Sequence, residues 1–155
     1  VKPDLRCVLL TTRWPLAPPL PRSEYQQTAD GADGVKAQWA RRQLDLLERR
    51  GRLPGEWPIL LQGIQIGKGL RLVALEGEPV AEHGLAIAHH YDSGVTFPLG
   101  YSNGEGLYLV TSAMLAEGGM EPTSYWEYGL PCPLAPGTEA VLDRALRELD
   151  KEGIH

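Results

Sequence analysis

The sequence predicts an α/β protein in which a mixed sheet is flanked by helices. Two observations support this prediction. Aliphatic runs typical of buried strands recur along the chain, and segments with the helical spacing of apolar residues lie between and after them. The 155 residues are enough to bury a core, and they fit either one domain or the distal half of a larger catalytic domain.

The first third of the chain contains a strand, a proline-rich segment and a helix. Residues 5–11 (LRCVLLT) are a short, largely apolar run that predicts a buried strand. Residues 13–25 (RWPLAPPLPRSEY) contain four prolines, so we expect an extended, non-helical segment that wraps around the domain rather than packs in it. From Gly34 to a stop at Gly51 the pattern is helical. Its broad apolar face contains Val35, Trp39, Ala40, Leu44, Leu46 and Leu47.

The middle of the chain predicts a β-hairpin. The runs ILLQGIQIG (59–67) and LRLVALEG (70–77) are rich in aliphatic residues and are separated by a Lys-Gly turn. Because both runs are almost continuously apolar, we expect a sheet that is covered on both faces.

The remaining segments predict three helices and one strand. In GEPVAEHGLAIAHHY (77–91), Pro79 suits the first turn of a helix. The buried side of that helix would contain Val80, Leu85, Ile87 and Ala88. Residues 95–102 (VTFPLGYS) predict a short strand, and 111–119 (TSAMLAEGG) a short helix with Thr111 as its N-cap. Residues 139–149 predict a last helix with an apolar stripe of Val141, Leu142, Ala145, Leu146 and Leu149.

The composition argues against nucleic-acid binding and against a membrane-spanning segment. Fifteen Lys and Arg against twenty Asp and Glu give a net charge of −5 with no basic stripe, so we do not expect a nucleic-acid partner. No run approaches the roughly 18 apolar residues of a membrane span, and the first residues contain no signal-peptide stretch. Secreted and cytoplasmic locations both stay open. The chain begins with Val rather than Met, so we expect a processed product, a subunit or a piece of a longer protein.

The two cysteines are compatible with two structural roles. Cys7 and Cys132 lie far apart and form no Cys-x-x-Cys motif, so they could form one disulfide or be two buried thiols.

One short stretch, YSNGEGLYLVT (101–111), combines a glycine-rich turn with a tyrosine inside an apolar run. Glycine beside Asn103 would let the backbone pass close to another group. Tyr108 would then be either a core side chain with a bonded hydroxyl or a ligand. Asn103 itself suits a turn in which its side chain bonds its own backbone.

Two longer segments, VALEGEPVAEHG and GYSNGEGLYLVTSAMLAEGGMEP, resemble the C-terminal part of the catalytic domain of the neutral (alkaline, non-lysosomal) ceramidases and their bacterial relatives. In that family a strand ends in a Gly-Glu turn, and a later strand carries an Asn-x-x-x-x-Tyr-x-x-Thr run. The resemblance extends from about Pro58 to Pro122 and is weaker in the preceding segments.

The resemblance implies a zinc hydrolase that cleaves the N-acyl bond of ceramide-like sphingolipids. The family holds one Zn²⁺ with two histidines, a glutamate and a tyrosine, and the last two match Glu78 and Tyr108. Gly104 and Gly106 would let the loop approach the cation. A second family tyrosine, associated with polarising the amide carbonyl, falls at Met120, which cannot donate that hydrogen bond. Ceramide itself is therefore in doubt as the substrate.

The histidines of this chain do not form a motif that could supply the two missing histidine ligands. His89 and His90 are adjacent and would point in different directions on a helix or strand, and no HxH or HExxH motif is present. His83, five residues after Glu78, could support a ligand, as could Asn103, although His83 could equally be a core or surface histidine. Without the resemblance, Glu78 would be read as an acidic residue at a helix N-terminus and Tyr108 as a core aromatic.

Two functions follow as alternatives. The chain could supply Glu78 and Tyr108 to a zinc amidohydrolase site that a histidine-bearing segment or subunit completes, acting on a lipid-like or N-acyl molecule. It could instead be a non-catalytic ceramidase-like scaffold or binding subunit. On the first hypothesis the isolated chain should be inactive, and it should expose an apolar surface beside Glu78 and Tyr108.

Overall fold

The computed structural model of the protein describes residues 2–32 and 34–155. It has an α/β fold with a four-stranded mixed sheet, as the sequence predicted. The strands are β1 (Pro3–Pro15), β2 (Glu56–Gly67), β3 (Leu70–Leu75), β4 (Glu78–Pro79), β5 (Val95–Leu99) and β6 (Tyr108–Leu109). The helices are α1 (Arg22–Ala29), α2 (Gly34–Arg50), α3 (Ala81–His90), α4 (Ser112–Glu117), α5 (Met120–Thr123) and α6 (Thr138–Lys151), and a 3-10 turn covers Ser124–Trp126.

The main sheet has the order β1-β2-β3-β5. The first three strands are antiparallel, and β2 and β3 form the predicted hairpin. Strand β5 then pairs in parallel with β3, after the crossover that contains α3. Strands β4 and β6 form a separate parallel pair just beyond the carboxyl end of β3. Two parallel strands, β3 and β5, therefore end at the same side of the molecule.

The main core lies between one face of the sheet and helices α3 and α6. The apolar stripe predicted for α6 is buried there, together with side chains of β2 and β3 such as Ile59, Leu61, Val73 and Leu75. A smaller core forms where α1 packs on α2, around Tyr25, Trp39 and Leu53. The two cores are linked by hydrogen bonds that Trp39 Nε1 donates to the Leu130 carbonyl (2.7 Å) and the Tyr25 hydroxyl donates to the Pro131 carbonyl (2.8 Å).

The opposite face of the sheet is exposed, so the prediction of a sheet covered on both faces is wrong for the described residues. Most outward positions on the four strands are apolar; the polar exceptions are Gln62 near the middle and Thr11, Arg13 and Glu56 toward one end. We call this surface the open sheet face. Its apolar members are Leu5, Cys7, Leu9, Leu60, Ile64, Ile66, Leu70, Leu72, Ala74, Val95, Phe97 and Leu99. Phe97 is 50% exposed and Leu9 55% exposed.

The proline-rich segment packs more than expected. Strand β1 continues through Trp14, which is fully buried, and Leu16 joins the same core. Residues from Arg22 onward form helix α1, which was not predicted. Helix formation is possible there because Pro21 precedes the first turn, where proline breaks no intrahelical hydrogen bond.

Helix α3 begins later than the sequence predicted. Glu78 and Pro79 form strand β4, and the helix starts at Ala81. Its buried residues are His83 and Ile87, whereas Leu85 is 69% exposed and Ala88 is also exposed. On α2, Val35 likewise lies outside the buried face. The cysteines form no disulfide: Cys7 is exposed, and Cys132 is buried with its thiol donating to the Ala17 carbonyl.

Candidate functional site

Glu78 and Tyr108 are direct neighbours in the small β4–β6 sheet. They are register partners in the parallel pair. The Glu78 amide donates to the Leu107 carbonyl (2.9 Å) and the Val80 amide to the Leu109 carbonyl (3.1 Å). Register partners place their side chains on the same face of a sheet, so the carboxylate and the phenol face one another. The structure thus brings together the two side chains that the resemblance matched to metal ligands.

Two glycines allow the backbone to reach this arrangement. Gly77 has a φ of +80°, and a Cβ at this position would lie 2.6 Å from the Leu107 carbonyl oxygen. Gly104 approaches Glu76 closely, because a Cβ there would lie 2.6 Å from Oε1 of that carboxylate. Glu76 in turn accepts a hydrogen bond from the Leu60 amide (2.7 Å). The close approach expected of the glycine-rich loop is therefore made to Glu76, while Gly106 has ordinary space around it.

Three tyrosines surround the Glu78 carboxylate. Hydrogen bonding to Glu78 is the main reason why the pKa of Tyr101 is raised to about 12. The negative charge of Glu78 is also the main cause that raises the pKa of Tyr108. Tyr128 packs edge-on against Tyr108, with ring centroids 5.9 Å apart at 88°. The phenols therefore stay protonated beside the carboxylate in this structure.

The Glu78 carboxylate opens into a recess of about 200 Å³. The recess is lined by Glu78, Tyr101, Glu105, Leu107 and Tyr128. Tyr108 borders a smaller neighbouring cavity, where Glu121 and Tyr125 are also found. Two carboxylates and several phenols in one concave site give it a negative potential and oxygen donors, which favour a cation over an anion.

The two proposed supporting residues lie away from the recess lining. Asn103, with a φ of +66°, is exposed and donates to Oε1 of Gln62 (3.2 Å) on the open sheet face. His83 is 1% exposed and packs edge-on against Trp14 with centroids 5.5 Å apart. Burial lowers the pKa of His83, and its Nε2 has no hydrogen-bond partner in the part of the chain described. His83 is thus a core residue of α3.

The other histidines do not join Glu78. His90 Nε2 pairs with Asp150 Oδ2 at 2.8 Å, and His89 is exposed on the same helix. Across residues 2–32 and 34–155, no three His, Cys, Asp or Glu side chains are grouped closely enough to hold a metal ion. Met120, at the start of α5, is 62% exposed.

The chain was compared with protein-family models, curated proteins and solved structures. None of the three comparisons gives a match. In addition, no helix in the described part of the chain combines the length and apolarity needed to cross a bilayer. The chemistry of the recess must therefore support any functional assignment by itself.

Sequence reasoning missed three members of the recess. Tyr101, Glu105 and Tyr128 were not among the candidate site residues that the sequence predicted. Tyr101 lies just after β5 with a φ of +53°, and Tyr128 follows the 3-10 turn, so only tertiary structure brings them to Glu78. The positive φ of a tyrosine beside Gly100 has no recognisable signal in the sequence.

Proposed function

We propose that this chain is part of a zinc-dependent hydrolase acting on N-acyl amides of lipid-like molecules. In this proposal Glu78 and Tyr108 are two of the metal ligands, and histidines from another polypeptide segment supply the rest. The single observation that carries the proposal is the parallel register pairing of Glu78 with Tyr108, which places a carboxylate and a phenol on one side of one small sheet.

The donor atoms fit one half of a metal site. Catalytic zinc sites usually have three protein ligands and an open position, and this chain presents the Glu78 carboxylate at the recess and the paired Tyr108 phenol beside it. A cation bound by Glu78 would offset the carboxylate charge that now raises the pKa of Tyr108, so the phenol would lose its proton more easily. When bound there, zinc would polarise an amide carbonyl and activate water for hydrolysis.

The open sheet face supports the need for a second polypeptide. One edge of this face lies close to the recess, because β5 is followed by Gly100 and then by Tyr101, which lines the recess. An exposed, flat apolar surface of four strands is typical of an interaction site. A segment that covers this face would pass beside Glu78 and could carry the missing histidines.

An apolar groove supports a lipid-like substrate. It has a volume of about 330 Å³ and contains no charged side chain; its lining includes Leu115, Pro122, Tyr125 and Leu134. The last three also line the small cavity that Tyr108 borders, so the groove and the proposed metal ligand share walls. An acyl chain in this groove would lead toward the recess.

The test is reconstitution with zinc. The 155-residue chain alone should bind zinc weakly and show no hydrolysis of a fluorogenic N-acyl amide, because two ligands hold the ion poorly. Addition of a polypeptide that carries the family's histidine half should produce zinc-dependent turnover. Zinc content and turnover should both fall in E78Q and Y108F and should persist in the control E117Q, which changes an exposed glutamate outside the recess.

The alternative is a binding or assembly subunit without catalysis. It is favoured by Met120, an exposed thioether where the family has a carbonyl-polarising tyrosine. A stable complex with the histidine-bearing polypeptide that contains no zinc, and whose formation is unaffected by E78Q, would favour this alternative. Zinc-dependent turnover by the isolated chain would contradict both functions.

A further inference from the structure

A second cleft, separate from the Glu78 recess, is lined by arginines. It has a volume of about 610 Å³ and is formed where the end of β1, the C-terminus of α2 and the start of β2 meet. Its lining comprises Arg13, Arg50, Arg52, Leu53, Pro54, Gly55 and Glu56. Three guanidinium groups from two chain segments, Arg13 from one and Arg50 and Arg52 from the other, thus line the cleft together with one carboxylate.

These arginines differ from the surface arginines that form ion pairs. Arg22, Arg49 and Arg147 each pair with a carboxylate at 2.7–2.8 Å. Within residues 2–32 and 34–155, no hydrogen bond or ion pair joins the side chains of Arg13, Arg50 or Arg52 to another residue. The chain has twenty Asp and Glu against fifteen Lys and Arg, so this local excess of positive charge runs against the overall charge of −5.

The cleft also has a fixed floor. Leu53 is 7% exposed and packs in the smaller core, and the Gly55 carbonyl accepts a hydrogen bond from the Leu16 amide (2.9 Å). Arg52 is therefore carried by an anchored loop, and Arg13 by a strand. A guanidinium group is a planar fork, so it can contact a planar or tetrahedral oxyanion through two parallel N–H groups.

We propose that this cleft binds a phosphomonoester group. Three arginines and Glu56 give the cleft a formal charge of +2, which matches the charge of about −2 on a phosphomonoester near neutral pH. The volume exceeds that of a phosphate group alone, so the rest of a small molecule or a lipid headgroup can enter with it. The site is independent of the proposed metal ligands, and it holds whether or not the hydrolase proposal does.

A purely structural role for these arginines makes a different prediction. The last carbonyls of α2 carry partial negative charge, and basic side chains there stabilise the helix. If this were their whole purpose, replacing them would lower stability and leave anion binding unchanged. Glu56 also lines the cleft, and its negative charge repels an anion. Its replacement therefore distinguishes anion binding from a purely structural role.

The experiment is a titration of the full chain with phenyl phosphate, followed by amide chemical shifts and by calorimetry. We expect saturable binding that weakens about two- to five-fold in R50Q or R52Q and about tenfold in the double variant. The control R147Q, which removes an arginine paired elsewhere, should bind as the unaltered chain does. E56Q should bind more tightly, a gain that a structural role would not produce.

A second arm identifies the source of the phosphate. Vesicles of phosphatidylcholine with and without phosphatidate are tested by co-sedimentation. Binding to phosphatidate vesicles but not to phenyl phosphate would assign the site to a lipid headgroup, and the reverse result to a soluble ester. The proposal is overturned if neither probe binds saturably, or if the double variant and E56Q both bind as the unaltered chain does.

Discussion

At the scale of single residues, Glu78 determines the protonation of its surroundings. Its carboxylate faces the phenols of Tyr101 and Tyr108, and it raises the pKa of both. A carboxylate favours a neutral phenol because a phenolate would place two negative charges together. The same residue would therefore change its effect on Tyr108 once a cation shared the site.

We predict that E78Q lowers the pKa of Tyr101 from about 12 toward the ordinary value of 10.0. Loss of the carboxylate weakens the hydrogen bond that favours the protonated phenol, and it also removes the charge repulsion that opposes ionisation. Titration of the tyrosine ring carbons by NMR between pH 8 and pH 12 measures this shift, with Tyr25 as an internal reference because burial is the first cause of its raised pKa. An unchanged Tyr101 in E78Q would show that Glu78 does not control this phenol.

A second residue-scale prediction concerns Glu139 and acid stability. Burial alone would raise the pKa of Glu139, but hydrogen bonds from Ser112, Thr138 and backbone amides outweigh it and lower the pKa to about 2. The Ser112 hydroxyl donates to this carboxylate at 2.6 Å. A depressed folded-state pKa stabilises the protein above the ordinary value of 4.5, and this contribution disappears as pH falls from 4.5 toward 2.

In E139Q the loss of stability between pH 6 and pH 2.5 should be smaller than in the unaltered chain by about 1 kcal/mol, a value reduced for solvent screening. Urea unfolding at the two pH values measures the difference. E117Q, on the exposed end of α4, is the control and should follow the unaltered chain. An equal pH dependence in E139Q would rule out this linkage.

At the scale of elements, the β4–β6 pair depends on one glycine. Gly77 combines a positive φ with a close approach to the Leu107 carbonyl, whereas Gly118 has nearly the same φ with nothing within 4 Å of an added Cβ. G118A should therefore cost about 1 kcal/mol through backbone strain alone. G77A should cost about 2–4 kcal/mol, because strand β4 must also move away from Leu107.

Denaturant unfolding of the two glycine variants gives this comparison directly. Similar losses in both would mean that the β4–β6 pairing tolerates displacement at Gly77. A larger loss in G77A should be accompanied by a change in the amide signals of Glu78 and Tyr108, which report the register of this pair.

The helices and strands that were predicted correctly are those with a regular spacing of apolar residues or with clear turn and cap residues. Helix α6 and the β2–β3 hairpin were predicted because their apolar spacing is regular and their turns are conventional. The N-cap at Thr111 was predicted too, and its hydroxyl accepts from the Met114 amide. Helix α1 and the start of α3 were missed because proline was taken as the end or the beginning of an element. At both places, contacts with other parts of the chain determined where the helix begins.

At the scale of the whole molecule, the helices among the described residues cover one face of the sheet and leave the other exposed. Continuous apolarity in β2 and β3 led to the prediction of a sheet covered on both faces, which is wrong for the described residues because the second face is exposed. Similarly, the sequence resemblance paired Glu78 with Tyr108, whereas Tyr101 and Tyr128 depend on contacts between distant segments. Such contacts leave no periodic signal in a single sequence.

We predict that F97S lowers the binding of the apolar dye ANS without a large loss of stability. Phe97 is half exposed on the open sheet face, so its removal should cost about 1 kcal/mol or less while it reduces the apolar surface available to the dye. L85S removes an exposed leucine on α3, away from this face, and should leave dye fluorescence unchanged. Equal decreases in both variants would mean that the dye does not report the open sheet face.

The position of Pro98 on β5 restricts how another chain can join this sheet. The Val95 amide donates to the Gly69 carbonyl, so alternate amides from Val95 face β3 and the intervening positions, Thr96 and Pro98, face the free edge. Proline has no amide hydrogen, so a strand arriving at this edge would lack one of the donors needed for a continuous ladder. Extension of the sheet by an added strand, the first step of fibrillar stacking, is therefore disfavoured on this side. A polypeptide that binds at β5 must therefore contact its side chains rather than pair with its backbone.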